Sequence, residues 1–494
     1  MKYLIGIDIG TSGTKSVLFD TDGNAIASAT AEYPLSQPKN GWAEQDPHDW
    51  WEATCKTLCE ITKKADGEIV GVGLSGQMHS MVLLDRKNEV IRPAILWCDQ
   101  RTAAECEEIE VILTRERLVE ITGNPALTGF TASKLMWIKK HEPQSFARTE
   151  HILLAKDYIR FLLTGEYATE VSDASGMQLL DINTRTWSDE VCAALGVERS
   201  MLATVHESPE ITGYVTKEAA ALTGLPVGIP VAGGAGDNAA AAIGTGVCRY
   251  GQAFTTIGTS GVVFAPTDAP IIDPKGRIHT FCAAVPHTWH VMGVVQAAGL
   301  SLNWFRSNLA SEMSYPELDR ACEEIPIGAE RLIYLPYLMG ERTPLLDADA
   351  RGVFFGLSAM HTRLHMARAV MEGVSYALYS SLELIRAVGI DVSEMALCGG
   401  GAKSGFWRTM LTDLYEMPTA IRESTEGAAL GAAILGGCAA GVYTSVGDGC
   451  ARAVRDRSVA YPDGARHAAY LRYYELYQSL YPCLKDAFRA LQGV

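Results

Sequence analysis

Residues 3–9, "YLIGIDI", are almost continuously apolar, and a glycine-rich turn separates them from a second apolar run, "KSVLFD". Asp22-Gly23 then turns the chain into "NAIASATAEY". Apolar runs bounded by such turn dipeptides predict strand, turn, strand, turn, strand. "DPHDWWEATCKTLCEITKKA" (46–65) opens with a capping Asp and a Pro, and its apolar positions have helical spacing. "EIVGVGLSG" (68–76) is an unbroken apolar strand, as expected when both faces are covered. "FTASKLMWIKKHEP", "HILLAKDYIRFLLTG" and the stretch near Trp187 predict helices and loops.

Near residue 230 the pattern restarts. "GIPVAGGAGDNAAAAIGTG" (228–246) reads as strand, glycine turn and alanine-rich helix. "QAFTTIGTSGVVFA" (252–265) is strand, glycine turn, strand, and 362–389 is one long amphipathic helix. "EMALCGGGAKS" (394–404) runs from strand into glycine loop, a helix "GFWRTMLTDLY" follows, and a Leu- and Tyr-rich helix closes the chain. The repeat places a domain boundary close to residue 247, giving domains 1–246 and 247–494 with no low-complexity linker and a cleft between them.

Composition narrows the class. With 494 residues, 48% hydrophobic and 20% charged, the chain suits a two-domain globular protein. Its formal net charge of −16 speaks against a broad nucleic-acid surface, though not against a small phosphorylated ligand. Twelve cysteines lie singly; Cys55 and Cys59 lack the second pair that a zinc site needs, so reduced thiols in a cytoplasm are expected. Asp8 interrupts the first apolar run, which argues against a signal peptide, and "GAALGAAILGGCAAGV" (427–442) is too short and too rich in Gly and Ala to span a bilayer.

The word IGTSG occurs twice, at 9–13 and 257–261, each time after an apolar strand and before a second strand. Such a turn exposes backbone N–H groups, and its hydroxyls add donors, so it forms an anion cradle. Two cradles facing one cleft would grip a polyphosphate from both sides. Gly71-x-Gly73-x-x-Gly76 matches the dinucleotide fingerprint, but a strand pattern rather than a helix follows, so a dinucleotide site is rejected. The phosphate-loop pattern G-x-x-x-x-G-K-S/T does not occur.

Blocks along nearly the whole chain resemble the FGGY family of carbohydrate kinases. They are "IGIDIGTSGTK", "WAEQDPHDWW", "GLSGQMHS", "RPAILWCDQR", "GFTASKLMW", "VAGGAGDNAAAA", "IGTSGV", "LPYLMGERTP" and "GGGAKS". The resemblance implies an α/β fold of the actin-like, ribonuclease-H-like type, duplicated around a central cleft. It implies a sugar-binding first domain, a nucleotide-binding second domain, ATP and Mg²⁺ as cofactors, a cytoplasmic enzyme and a homodimer. The implied reaction is phosphorylation of D-xylulose to D-xylulose 5-phosphate, with ribulose, glycerol or gluconate as alternative acceptors. A nucleotide-gated binding protein of the actin or Hsp70 kind is disfavoured, because no β-rich peptide-binding domain follows the GGGAKS block.

The resemblance and the chemistry assign roles together. Asp237, at a helix start, is either a simple cap or the general base for a sugar hydroxyl, and the family position favours the base. Asp8, at a strand end, suits Mg²⁺, which takes one or two carboxylates plus water and phosphate oxygens. Gln77, Met78 and His79 end a buried strand on the sugar side, with Trp97, Asp99, Arg101 and Asn238 beside them. Thr11, Ser12, Gly13 and Thr14, with Gly258, Thr259 and Ser260, would hold phosphates. Gly399, Gly400, Gly401, Ala402 and Lys403 would lie against the nucleotide, while Lys15 is either a phosphate partner or a solvated strand residue. Cys98 and Ser80 depart from the family's common Asn and Gly beside the sugar contacts.

Overall fold

The computed structural model describes residues 1–492. Strands β1 (Lys2–Ile9), β2 (Gly13–Asp20) and β3 (Ala25–Glu32) form an antiparallel meander. Beside β1, in parallel, lies β4 (Glu68–Gly76), and β5 (Pro230–Ala232) lies parallel to β4. The second half repeats this plan. Strands β6 (Gly251–Ile257), β7 (Gly261–Thr267) and β8 (Trp289–Val295) form the meander. Strands β9 (Val392–Cys398) and β10 (Thr419–Arg422) extend it in parallel. The spatial orders are therefore β3-β2-β1-β4-β5 and β8-β7-β6-β9-β10, the same topology twice. Each IGTSG word is the turn of the first hairpin in its sheet.

Helices cover the sheets as their apolar stripes dictate. Helix α1 (Pro47–Thr62) is capped by Asp46, whose carboxylate accepts from His48 N at 3.0 Å, and it buries Trp50, Leu58 and Ile61. The run from His151 is not one helix: His151–Leu154 is a strand and α2 (Ala155–Thr164) follows. A four-residue apolar run carries too little periodicity to separate the two. Further along come α3 (Asp237–Gly244), α4 (Arg363–Ala387), α5 (Gly405–Tyr415), α6 (Gly427–Ala439) and α7 (Gly464–Leu491). Among the described residues no helix is long and apolar enough to cross a membrane.

The halves exchange helices where they meet. Helix α6, from the second half, packs its alanines with Leu4, Val17 and Phe19 of the first sheet. Helix α3, from the first half, packs Ala242 with Phe254, Val262 and Ala396 of the second sheet. Glycine makes the crossing possible. A Cβ on Gly431 would stand 1.8 Å from the Ala240 carbonyl oxygen, and one on Gly244 would stand 1.8 Å from that of Gly427. The rejected dinucleotide motif has the same explanation, because a Cβ on Gly73 would lie 1.8 Å from Ala432 O. Those glycines admit a helix backbone.

Candidate active site

Both hairpin turns are internally bonded, Gly10 N donating to Gly13 O at 3.0 Å and Gly258 N to Ser260 O at 2.9 Å. The second turn is also tied to the helix Gly299–Leu309: Gly299 N donates to Gly258 O at 2.8 Å and Leu300 N to Thr259 O at 3.1 Å. The second turn reaches, through Ser260, a cavity of about 150 Å³ whose walls also include Trp97 and Asp237. Trp97 Nε1 donates to Thr11 Oγ1 at 2.9 Å, which brings the first turn to that wall. Ser12 and Thr259 stand exposed at the two tips, while Thr14 is buried behind its turn with an unpartnered hydroxyl.

Asp237 is the first residue of α3, and Gly236 takes the capping position expected of the Asp itself. The Asp237 carboxylate accepts from Asn238 N at 2.7 Å and from Asn238 Nδ2 at 3.0 Å. Burial, then the negative charge of Asp8, push its pKa up to about 6 against those two hydrogen bonds. Asp8 accepts from Ser75 Oγ at 2.9 Å; burial raises its pKa, and that bond and Lys15 oppose the shift. Lys15 itself forms an ion pair with Glu426 just before α6. That pairing keeps it from standing free in solvent.

A buried polar cluster that the sequence reading did not single out holds the Asp237 turn. Ser172 Oγ accepts from Gly236 N at 3.1 Å and donates to Glu170 Oε1 at 2.9 Å. Lys156, wholly buried, pairs with Asp157 at 2.7 Å, Asp173 at 3.0 Å and Glu170 at 3.3 Å. Buried charges persist only when paired in this way.

Met78, His79, Phe130 and Asn238 complete the first-half wall of the cavity. His79 has φ +66°, a left-handed conformation that non-glycine residues adopt at a cost. Its ring stacks on Phe130 at 4.3 Å, and its Nδ1 meets the Gly176 carbonyl at 2.6 Å. A carbonyl partner makes Nδ1 the donor and leaves the lone pair on Nε2. Burial, and next the charge of Lys134, lower the His79 pKa to about 3, so the ring stays neutral. Lys134 Nζ donates to the His79 carbonyl at 2.9 Å and fixes the strained residue; burial draws its own pKa down to about 7.

Other expected sugar contacts stand behind this wall. Asp99 and Arg101 bind each other, Nη2 to Oδ2 at 2.7 Å, and both are almost fully buried. Arg101 also reaches Glu44 at 2.8 Å and lies 3.7 Å over the Trp42 ring. Their donors and acceptors are used within the protein, so only Trp97 of that trio lines the cavity. Gln77 is likewise engaged, with Gln45 Oε1 at 3.1 Å and Gly10 O at 3.4 Å. Ser80 Oγ donates to Gln77 Oε1 at 3.1 Å, and Cys98 packs on the first-half core. Neither departure from the family pattern is part of the cavity wall.

On the other side of the second turn lies a larger cavity of about 570 Å³. Gly258, Thr259, Asn303, Tyr315, Gly400, Gly401 and Lys403 line it, so it runs continuously from the phosphate turn to the glycine loop. Gly399 and Ala402 face a separate cavity across that loop. Arg342, in the "MGERTP" block, stands in the small cavity's wall and was not among the expected site residues. The block carried the resemblance, but nothing in its spacing marked the Arg as a cavity residue.

The geometry agrees with relatives. Residues 3–244 match the N-terminal domain of the FGGY family of carbohydrate kinases, and residues 253–440 match its C-terminal domain. The chain is 39% identical to xylulose kinase of Bacillus subtilis over 496 aligned positions, covering 100% of this chain and 99% of that protein. The ligand-bound structure of xylulose kinase from Lactobacillus acidophilus superposes with a TM-score of 0.95 at 29% identity, covering 99% of this chain and 100% of that one. Gluconate kinase from Lactobacillus acidophilus superposes with a TM-score of 0.94, also at 29% identity, covering 99% of each chain. This chain belongs to the FGGY family of carbohydrate kinases and is a sugar kinase with the two-domain, actin-like fold.

Proposed function

We propose that this protein transfers the γ-phosphoryl group of ATP to D-xylulose, giving D-xylulose 5-phosphate and ADP. The observation that carries this reading is the meeting of Asp237, His79 and Ser260 in one small cavity that adjoins the larger, glycine-lined one. Residues 1–246 would bind the sugar and residues 247–494 the nucleotide. The adenosine would lie along Asn303, Tyr315, Gly400 and Gly401, with the triphosphate passing Thr259 toward the cleft. Identity to the Bacillus subtilis xylulose kinase over the full chain supports the ketopentose.

Asp237 takes the proton of the acceptor hydroxyl as that oxygen bonds to the γ-phosphorus and the bond to the β–γ bridging oxygen breaks. Phosphoryl transfer depends mainly on positioning and charge stabilisation, so the base needs placement more than strength. Asn238 orients the carboxylate through its two hydrogen bonds. His79 Nε2 offers an acceptor to a sugar hydroxyl and Trp97 an apolar face. Closure of the cleft would exclude water, which competes as a nucleophile.

The residues present fit Mg²⁺. Asp8 and Asp237 are both buried acids, and the charge of Asp8 raises the pKa of Asp237, so a cation near the pair would relieve their repulsion. Mg²⁺ takes one or two carboxylates, with water and phosphate oxygens completing its ligands. Asp8 would hold the ion, which when bound neutralises charge on the phosphates. The twelve cysteines, all free thiols, suit work in the cytoplasm.

A coupled ADP assay over D-xylulose, ribulose, glycerol, xylitol and gluconate tests the reading. D-xylulose should give the highest kcat/KM; a preference for gluconate would move the chain toward its aldonate-phosphorylating relative.

A further inference from the structure

The second-half wall of the small cavity is built from Ser260, Val262, Met292, Val294 and Arg342, of which only Ser260 and Arg342 are polar. Ser260 belongs to the phosphate turn, which leaves Arg342 as the one charged group that this half presents to the cavity. The guanidinium makes no hydrogen bond or ion pair within the protein among the described residues. Glu341, next to it, forms no ion pair with the guanidinium: its Oε1 accepts from Gln296 N at 2.9 Å and from Arg342 N at 2.8 Å. Burial pushes the Glu341 pKa up to about 8, against those bonds and the charge of Arg342.

The segment that carries Arg342 is pinned in place. Thr343 N donates to Val294 O at 3.0 Å, and Val294 N donates to Thr343 Oγ1 at 3.0 Å. Thr343 Oγ1 also donates to Arg277 O at 2.9 Å. Arg342 is therefore presented by a rigid edge, and a half-buried guanidinium that faces the cavity without a hydrogen-bonded partner is placed to donate to a ligand.

We propose that Arg342 touches the sugar, donating from the second half to the oxygen atoms at the end remote from the phosphorylated hydroxyl. This rests on the sugar-kinase reading above. The phosphorylated end must lie by Asp237 and the turn at Ser260, so the opposite end meets the remaining polar wall. Arg342 lines the same cavity as His79, and its charge adds to the lowering of the His79 pKa. In D-xylulose that end carries the C2 carbonyl and the C1 hydroxyl. A guanidinium only donates, so it reads acceptor oxygens. Because Arg342 and His79 come from different halves, a sugar held by both would bridge the cleft and favour its closed form.

The test compares wild type with Arg342→Gln and Arg342→Lys, each checked for an unchanged melting temperature and ADP affinity. Sugar Kd without nucleotide and sugar KM with ATP are measured for D-xylulose and for its 1-deoxy analogue. Losing a hydrogen bond from a charged donor should weaken D-xylulose binding by about 10- to 100-fold in Arg342→Gln, with partial recovery in Arg342→Lys. The wild-type preference for D-xylulose over the 1-deoxy analogue should shrink in Arg342→Gln, and ATP KM should stay within about twofold. Unchanged sugar affinity in a folded Arg342→Gln variant overturns the proposal, and so does an equal loss for both sugars. If wild type prefers another sugar, the function reading fails; Arg342 is then tested with the accepted substrate and its analogue lacking the terminal oxygen.

Discussion

If Asp237 is the general base, the reaction must stop when its carboxylate is protonated, and the structure puts that transition at an unusual pH. Burial in the cleft, with help from the Asp8 charge, lifts the Asp237 pKa from its ordinary value of 3.8 to about 6. A base works in its ionised form, so the rate should rise with pH through that value and then level. About nine-tenths of the carboxylates are ionised one unit above it and about one-tenth one unit below. With both substrates well below KM, the rate reports the unliganded enzyme. Between pH 7 and pH 5 that rate should fall about tenfold, with a limiting slope of one on logarithmic axes. ADP affinity measured across the same range separates protonation of the nucleotide from that of the enzyme. At saturating Mg²⁺-ATP the Asp8 charge is offset, and the acid limb of kcat should shift downward. A profile flat from pH 7 to pH 5, or a limb that moves upward with Mg²⁺-ATP, refutes this role for Asp237.

Other outcomes follow from the same geometry. Asp237→Asn should retain ADP binding and lose sugar phosphorylation by about 10²- to 10⁴-fold in a coupled assay. The same variant should melt higher at pH 7. A carboxyl whose folded pKa is raised adds stability only at low pH and loses it as pH rises through about 6, at a cost of at most about 3 kcal/mol that Asn escapes. Lys134→Met should leave the carbonyl of the strained His79 with only the Thr131 hydroxyl, at 3.2 Å, and raise sugar KM while sparing ATP KM, as steady-state kinetics would read. Gly431→Ala should destabilise the protein by about 1–3 kcal/mol or more in denaturant unfolding, because a Cβ there meets Ala240 O at 1.8 Å.

Much of this architecture was legible along the chain because the chemistry was local. Hairpin turns and strand ends announce themselves in neighbouring residues, so the IGTSG pair and Asp8 could be picked out directly, while Asp237, His79 and the GGGAKS loop rested on the family resemblance. What escaped depended on distant partners. The Asp99–Arg101 pair looks like a sugar-binding cluster until Glu44 and Trp42, more than fifty residues away in sequence, are seen to enclose it. Gln77 is held by Gln45 and Gly10 in the same way. Arg342 reaches the cavity only through the long pairing of its segment with β8, which no local pattern encodes. The strand at His151–Leu154 was absorbed into a helical reading because it is too short to show a period of its own.

The central claim is that one turn from each half grips the same triphosphate while Asp237 faces the acceptor hydroxyl. A crystal structure of the Asp237→Asn variant with D-xylulose and Mg²⁺-ATP tests it most directly. The account predicts phosphate oxygens within hydrogen-bond reach of both the Thr11–Thr14 and Gly258–Ser260 turns, with the γ-phosphorus in line with a sugar hydroxyl beside residue 237. A triphosphate held by one turn alone, or a sugar whose hydroxyl lies away from residue 237, would contradict it.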